Sequence, residues 1–322
     1  MPRDRDLRVF TGNANPMLAR AICSSLDIKL TRGSVSRFSD GEIRVDIDES
    51  VRGDDVYIVQ PTCAPVNENL MELLIATDAF RRASAGRITA VVPYFGYSRQ
   101  DKKIKPREPI TAKLVSTLIT AAGAQRLLTL DLHALQIQGF FDFPVDHLPA
   151  GPIIADYLIA RGFCGHEVAV VSPDVGGVAM ARAYADRLDA NVAIIVKRRP
   201  QPNQVEVFEV IGEVAGKVCV IVDDIVDTAG SLTMGARALC DRGARAVYAC
   251  ATHPVLSGDA LQRIAESPVR SLVVTDTVPL APERRGARVQ VLSVAPSLAE
   301  AIRCIHQDQS VSTLFRKNWK TS

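Results

Sequence analysis

The sequence lacks the features that mark secreted, membrane-spanning and disulfide-stabilised proteins. No apolar run approaches the roughly 20 residues that cross a bilayer, and the opening segment MPRDRDLRVF has no apolar signal core. The seven cysteines are scattered, none in a C-x-x-C pair, and several lie in apolar runs. Such cysteines are typical of reduced thiols in a protein core. We therefore expect a cytoplasmic protein with no membrane association.

A strong net charge is absent as well. The 38 Lys and Arg residues nearly balance the 36 Asp and Glu residues, which leaves a formal net charge of +2. This balance does not favour a nucleic-acid partner, so any affinity for anions must be local. With 322 residues, of which 47% are hydrophobic, the chain is long enough for two globular domains.

The Walker A phosphate loop, G-x-x-x-x-G-K-[ST], is missing too. The nearest segment, GEVAGKV at residues 212–218, is too short and lacks the final hydroxyl. A nucleotide-binding protein without this loop needs another grip on the triphosphate.

Short β-branched runs alternate with amphipathic stretches along the chain. Runs such as DVYIVQ, ITAVVPYF, EVAVVSPD and KVCVIVDD predict strands, whereas NENLMELLIATDAFRRAS and EPITAKLVSTLITAAGA predict helices. This alternation favours parallel sheets covered on both faces. Each half also contains a strand that ends in aspartate, LLTLDLHA and VCVIVDDIVDTAG, which indicates a duplicated α/β domain. We expect domains at residues 1–150 and 151–309, and a tail at 310–322 that packs on the first domain.

The segment VCVIVDDIVDTAGSL joins an apolar strand to three carboxylates and a turn of small residues. Asp223, Asp224 and Asp227 would repel an anion unless they met hydroxyl groups or a cation. The turn from Thr228 to Ser231 precedes a helix, and its backbone N–H groups can cradle a phosphate. A phosphorylated sugar offers both a phosphate and hydroxyls. A helix N-cap with incidental acids is the alternative interpretation.

Further motifs follow in a fixed order along the chain: SRFSDGE, ESVRGDDVYIVQ, APVNENLMELL, YSRQDKK, REPITAKL, DLHALQIQGFFD, SPDVGG, KRRP, CATHPVLSG and SVSTLF. Together with VDDIVDTAGS they resemble the class I ribose-phosphate pyrophosphokinases over nearly the whole chain. The resemblance implies two tandem type I phosphoribosyltransferase-like domains, each a mostly parallel sheet with helices on both faces. It also implies transfer of the diphosphoryl group of ATP to the anomeric hydroxyl of ribose 5-phosphate, giving 5-phosphoribosyl 1-pyrophosphate and AMP for nucleotide biosynthesis.

The resemblance also implies site residues, matched motif by motif. Lys197 corresponds to the catalytic lysine, and His133 and Asp174 correspond to ligands of Mg²⁺. The ATP site is expected to comprise Phe38, Asp40, Gly41, Glu42, Arg99 and Gln100. The ribose 5-phosphate site is expected to comprise Arg199, Asp223, Asp224, Asp227, Thr228, Ala229, Gly230 and Ser231.

The residues alone leave other interpretations open for these motifs. Taken alone, RFSDGE is more typical of a charged hairpin turn than of a binding loop. YSRQD is equally typical of a surface loop, and VKRRPQP of a solvated basic loop. A lone histidine such as His133 is more often structural than a ligand. Magnesium also prefers oxygen ligands, so this histidine could instead contact nucleotide phosphates.

Two rival functions share parts of the pattern. A phosphoribosyltransferase has the 227–231 loop, but it would have no use for RFSDGE, YSRQD and KRRP together. A non-catalytic regulatory member of the same family should have lost motif residues. In this chain His133, Asp174, Lys197 and Arg199 are all present.

Assembly and regulation are further implications of the class I resemblance. We expect a homohexamer in which the loop around Phe38 completes the adenine site of a neighbour, with inorganic phosphate as activator and ADP as inhibitor. The phosphate and ADP site is expected to comprise Arg52, Ser84, Arg107, Ser310 and Ser312. Two positions depart from the family pattern: Val196, where an acid usually precedes the lysine, and Met180, where arginine is usual.

Overall fold

A computed structural model describes residues 5–198, 207–286 and 288–314. These residues form two compact units. Unit 1 comprises residues 5–149, 277–279 and 293–314, and unit 2 comprises the described residues of 150–276 and 280–292. Arg199, an expected ribose 5-phosphate contact, lies outside the described residues.

Strands and helices alternate along the chain, as the sequence pattern predicts. The strands are β1 (Leu7–Thr11), β2 (Gly33–Arg37), β3 (Ile43–Ile47), β4 (Asp55–Val59), β5 (Arg87–Val92), β6 (Arg126–Leu130), β7 (Val145–Leu148), β8 (Val168–Ser172), β9 (Asn191–Arg198), β10 (Val207–Ile211), β11 (Val218–Val226), β12 (Ala246–Pro254), β13 (Val269–Thr275) and β14 (Val289–Leu292). The helices are α1 (Pro16–Leu26), α2 (Val66–Arg82), α3 (Thr111–Ala122), α4 (Gly151–Ala160), α5 (Val178–Leu188), α6 (Gly230–Asp241), α7 (Ala260–Ala265) and α8 (Ala295–His306). No helix in the described ranges is long and apolar enough to cross a membrane.

Unit 1 is built on a parallel sheet with the strand order β1-β4-β5-β6-β7. Successive side chains of a strand point to opposite faces. Ile58 of β4 therefore packs with Leu73 of α2 and Val115 of α3, whereas Tyr57 points to the other face. Helices α1 and α8 pack against each other beside that second face. Strands β2 and β3 form a separate antiparallel hairpin that packs on α2.

Unit 2 is built on a larger sheet with the order β10-β9-β8-β11-β12-β13-β14. All neighbours are parallel except β10, which runs antiparallel to β9. Val170 of β8 packs in a cluster with α4 and α5, and Val171 packs in a second cluster with α6 and α7. Helices thus cover both faces, and the expected α/β fold class is confirmed.

Helix α8 packs with unit 1, although the expected second domain extended to residue 309. The fully buried carboxylate of Asp55, at the start of β4, accepts hydrogen bonds from Arg87 Nε at 2.8 Å and from the Tyr57 hydroxyl at 2.9 Å. His306 Nδ1, at the end of α8, lies 2.9 Å from the same carboxylate. Arg87 also donates to the Ile305 carbonyl at 2.9 Å. These long-range contacts hold α8 on the first sheet, so the two units divide the chain differently at this end.

Candidate active site

The described members of the expected catalytic and sugar-binding set of unit 2 lie at one edge of its sheet. Strands β9, β8 and β11 are neighbours, and Lys197, Asp174 and Asp223 lie at or just after their carboxyl ends. Ligands of open α/β sheets bind in the crevice outside the carboxyl ends of the strands. The structure therefore brings three separate sequence motifs to the edge where a ligand is expected.

Asp223 and Asp224 form a half-buried acid pair within the last residues of β11. The strand continues to Val226, two residues beyond the run that the sequence predicted. Burial raises the pKa of the Asp223 carboxyl well above its ordinary range, and the nearby charges of Asp224 and Asp174 raise it further. Two half-buried carboxylates, with the exposed Asp174 close enough to influence them, favour a ligand that offers hydroxyl groups or a cation.

Asp174 is held in a tight turn between β8 and α5. Its carboxylate accepts the Gly177 N–H at 3.0 Å, and its carbonyl accepts the Ser172 hydroxyl at 2.6 Å. Among the described residues, no three Asp, Glu, His or Cys side chains are grouped closely enough to hold a metal ion by themselves. Mg²⁺ prefers oxygen ligands and retains several waters, so a carboxylate fixed beside other carboxylates fits such an ion.

The 227–231 turn connects β11 to the first turn of α6. Ala229 adopts a left-handed backbone with φ of 58°, a conformation that costs an L-residue about 1–2 kcal/mol. Among the described residues, no side chain caps the start of α6, a 12-residue helix whose first N–H groups follow this turn. Arg263 Nη1 donates to the Thr228 carbonyl at 3.1 Å and Ser257 N–H donates to the Asp227 carbonyl at 3.1 Å. The turn is thus fixed from outside, and its uncapped helix end suits a phosphate.

Lys197 reaches this turn from β9. Its ammonium donates to the Ser231 hydroxyl at 2.7 Å and lies 5.9 Å from the centre of the Phe208 ring, on the paired strand β10. The two motifs are 34 residues apart in sequence, and only the fold places them in contact.

In unit 1, the expected triphosphate loop and the histidine segment follow neighbouring strands. Arg99 and Gln100 lie in the exposed loop after β5, and His133 follows β6. Gln136 donates a hydrogen bond to the buried Asp101 carboxylate, which links the two segments directly. The YSRQD and DLHALQ segments therefore lie in contact at the carboxyl edge of this sheet.

Phe38, Asp40, Gly41 and Glu42 form the tip of the β2–β3 hairpin, which agrees with the hairpin-turn interpretation of RFSDGE and leaves a binding role open. The Phe38 N–H donates to the Glu42 carbonyl at 2.9 Å, and Gly41 takes a φ of 96° that favours glycine. The Phe38 side chain is 51% exposed. An exposed ring on an ordered turn is available for stacking.

The expected regulatory residues lie at two opposite edges of unit 1. Arg52 and Ser84 lie in turns that precede β4 and β5, and the Gly53 N–H donates to the Ser84 carbonyl at 2.8 Å. Ser310 and Ser312, whose hydroxyls are 2.9 Å apart, follow Asp308, which pairs with Arg87 at 3.0 Å at this same edge. Arg107 lies in the loop after β5, at the opposite, carboxyl edge.

Sequence reasoning assigned no role to a group of residues around the hairpin. Arg37 at the end of β2 pairs with the Glu68 carboxylate on α2, and Glu72 lies one turn further along that helix. Glu68 and Glu72 appear in APVNENLMELL, where the i, i+4 spacing of two acids was the available signal.

The two departures from the family pattern occupy packed positions. Val196 is half-buried on β9 and pairs across the ladder with Glu209 of β10. Met180 packs against the core cluster formed by α4, α5 and β8.

Two family models match the chain. One describes the N-terminal domain of ribose phosphate pyrophosphokinase and matches residues 7–123. The other describes a phosphoribosyl synthetase-associated domain and matches residues 198–316.

Similar proteins match over nearly the full length. A ribose-phosphate pyrophosphokinase from Caldanaerobacter subterraneus subsp. tengcongensis is 58% identical over 309 residues, covering 96% of this chain and 98% of the relative. One from Clostridium tetani is 55% identical over 312 residues, covering 97% and 98%. The crystal structure of phosphoribosylpyrophosphate synthetase from Mycobacterium smegmatis matches with a TM-score of 0.89 and 43% identity, covering 94% of this chain and 100% of that one. The chain therefore belongs to the ribose-phosphate pyrophosphokinase family.

Proposed function

We propose that this chain transfers the diphosphoryl group of ATP to the anomeric hydroxyl of ribose 5-phosphate, producing 5-phosphoribosyl 1-pyrophosphate and AMP. Family membership supports this reaction. The structural observation that supports it best is the contact of the Lys197 ammonium with the Ser231 hydroxyl at 2.7 Å, beside the start of α6. A cation and a phosphate cradle lie together, as a reaction between two phosphorylated substrates requires.

The sugar phosphate occupies the 227–231 cradle. Its 5-phosphate accepts hydrogen bonds from the first N–H groups of α6 and from the hydroxyls of Thr228 and Ser231. Asp223 and Asp224 accept hydrogen bonds from the ribose hydroxyls, directly or through a cation, which compensates the cost of placing two carboxylates together. Arg199 adds a contact to the sugar phosphate by analogy with the family.

The anomeric hydroxyl attacks the β-phosphorus in line, and the bond from that phosphorus to the oxygen shared with the α-phosphorus breaks. AMP leaves with that oxygen, and the hydroxyl proton passes to water. Lys197 neutralises charge that develops on the transferring group, so the chain acts by positioning and electrostatic stabilisation. His133 and Asp174 would hold Mg²⁺, which supplies positive charge to the triphosphate. Arg99 and Gln100 grip the triphosphate, and they stand in for the missing Walker A loop.

The nucleotide base occupies the hairpin tip. Phe38 stacks on adenine, while Asp40 and Glu42 accept hydrogen bonds from the exocyclic amine and Gly41 permits the turn. The proposal includes a homohexamer in the cytoplasm, activated by inorganic phosphate and inhibited by ADP. Arg52, Ser84, Ser310 and Ser312 at one edge of unit 1 and Arg107 at the other suit an anion site completed between subunits, because one chain presents them at opposite edges.

Incubation with ATP, Mg²⁺ and ribose 5-phosphate, followed for AMP and phosphoribosyl pyrophosphate, tests the proposal. Equal amounts of the two products are expected. A phosphoribosyltransferase would form neither, and would instead consume added phosphoribosyl pyrophosphate with a nucleobase. A non-catalytic family member would be inactive in both assays.

A further inference from the structure

The β2–β3 hairpin is held differently at its base and at its tip. At the base, Val35, Val45 and Ile47 pack against the core cluster of unit 1. The tip beyond Arg37 carries the exposed Phe38 ring and contributes no residue to that cluster. The orientation of the tip therefore depends on polar contacts.

Arg37 supplies these contacts from the last position of β2. Its Nη1 donates to the carbonyl of Gly41 in the tip turn at 3.3 Å and to the Glu68 carboxylate in the first turn of α2. Its Nη2 lies 3.9 Å from Glu72 Oε1. A guanidinium has several donors in a fixed plane, so one side chain can join a turn carbonyl to carboxylates on a helix.

Glu72 anchors this arrangement in the interior. It is 2% exposed, and its Oε2 accepts the Asn13 N–H at 2.9 Å and the Gln60 side-chain amide at 2.9 Å. Its Oε1 accepts the Asn13 side-chain amide at 3.0 Å, and that amide also donates to the Val35 carbonyl of β2 at 3.1 Å. Because Asn13 and Gln60 follow β1 and β4, the anchor lies at the carboxyl edge of the unit 1 sheet, where nucleotide-binding loops are expected.

We propose that Arg37 is a positioning residue for ATP: by joining the Gly41 carbonyl to the Glu68 carboxylate, it fixes the hairpin tip so that Phe38 is held ready to stack on adenine. This inference rests on the proposed adenine role of the tip. The Arg37 side chain is 42% exposed and that of Glu68 is 46% exposed, so their ion pair contributes little to folding stability. Loss of this ion pair, which we call the clamp, weakens ATP binding instead, because a mobile hairpin tip must become ordered when the base binds.

The test compares Arg37→Ala with Arg82→Ala, an exposed arginine that pairs with Asp78 on the same helix α2. Arg37→Ala is expected to raise the KM for ATP about tenfold, the effect of one lost charge-assisted contact, and to leave kcat and the KM for ribose 5-phosphate within about threefold. Arg82→Ala should match the wild type. Thermal midpoints should be the same for all three proteins.

Further variants separate clamping from a general structural effect. Arg37→Lys keeps the charge but loses the fork, so its KM for ATP should lie between those of the wild type and Arg37→Ala. Adding Glu68→Gln to Arg37→Ala should raise the KM no further, because both substitutions break one clamp. Discrimination between ATP and inosine triphosphate should fall in Arg37→Ala, since a mobile tip reads the exocyclic amine less well.

Calorimetric titration with ATP tests the role of Arg37 in ATP binding independently of whether the enzyme catalyses the proposed reaction. If the wild type binds ATP but forms no AMP, the proposed function fails, while weaker ATP binding by Arg37→Ala and by Phe38→Ala still supports the clamp. Unchanged ATP affinity in Arg37→Ala would overturn the clamp whether or not the enzyme turns over. Equal increases in both KM values with a lowered thermal midpoint would also overturn it, because they indicate a structural role alone.

Discussion

The Lys197 ammonium lies 2.7 Å from the Ser231 hydroxyl, so the strand end that carries the basic motif meets the turn that is proposed to bind the sugar phosphate. Each residue has a separate task in the proposed reaction. Their contact places the ammonium beside the turn that is proposed to hold the 5-phosphate, and the proposed reaction uses the same side chain to neutralise charge on the diphosphoryl group.

Removing this ammonium should affect turnover more than binding. Lys197→Ala is expected to lower kcat by a factor on the order of 10²–10³, with smaller changes in both KM values, because the charge matters most in the transition state. Steady-state kinetics check this. Arg245→Ala, which removes an exposed charge of unit 2 at the start of β12, serves as control. If the kcat of Lys197→Ala stays within about threefold of the wild-type value, Lys197 is a solvated surface lysine with no catalytic role.

The cradle should be specific for the sugar substrate. Asp227→Asn and Thr228→Ala are expected to weaken ribose 5-phosphate binding and leave ATP binding nearly intact, because both residues lie in the turn before α6. Calorimetry with each substrate measures the two affinities, and Thr117→Ala on the exposed side of α3 is the control. Equal loss of both ligands would contradict this division of labour.

The acid pair should cost stability in the ligand-free protein. Because burial and the neighbouring acids raise the pKa of Asp223 to about 8, its carboxyl ionises at lower pH in the unfolded chain than in the folded protein. The folded state is therefore least penalised below the ordinary carboxyl value of 3.8, and it loses stability as pH rises from there to about 8. Asp223→Asn should therefore raise the thermal midpoint, and the gain should grow from acidic to alkaline pH. Asp186→Asn, at an exposed acid of α5, should show no such trend. If the thermal midpoint of Asp223→Asn stays below that of the wild type at alkaline pH, the acid pair does not destabilise the ligand-free protein.

The buried pair between Asp55 and Arg87 should stabilise unit 1 at neutral pH. Burial raises the pKa of Asp55, but hydrogen bonds from Arg87 and His306 outweigh this and leave it below the ordinary value of 3.8. Its contribution is thus complete above that value and disappears as pH falls through the lowered pKa. Asp55→Asn should cost on the order of 3 kcal/mol in urea unfolding at pH 7, as for other broken buried pairs, and less in acid. A difference that does not change with pH, or a loss no larger than that of Asp78→Asn at a half-buried ion-paired acid of α2, would contradict this.

The anion site gives a regulatory prediction. Activity at fixed ATP and ribose 5-phosphate should rise with inorganic phosphate, and Arg52→Ala should need more phosphate for the same activation because guanidinium groups bind phosphate with two donors. The exposed Arg182 of α5, replaced by alanine, provides a matched control. Full activity in phosphate-free buffer would contradict the proposal that phosphate activates the enzyme through this site.

Local patterns in the sequence were sufficient for the sheets and for the edge where the site lies. The apolar run before Asp223 predicted β11, and the small residues after Asp227 predicted the turn into α6. Strand and helix periodicity reports burial, and the carboxyl ends of neighbouring parallel strands must meet at one edge.

Long-range contacts were beyond such patterns. Nothing near His306 indicates that it meets Asp55, 251 residues earlier, so the grouping of α8 with unit 1 was not foreseen. Glu72 likewise reads as one acid of an ordinary helix. Its buried contacts with Asn13 and Gln60 depend on the order of strands in the sheet, which local propensity does not encode.

The most direct test of the proposed reaction follows the β-phosphorus of ATP. With ATP labelled at that position, Mg²⁺ and ribose 5-phosphate, the label should appear in the diphosphate group of phosphoribosyl pyrophosphate, in an amount equal to the AMP formed. Label that appears in ADP, in free diphosphate or in inorganic phosphate, with no labelled phosphoribosyl pyrophosphate, would contradict transfer of the diphosphoryl group.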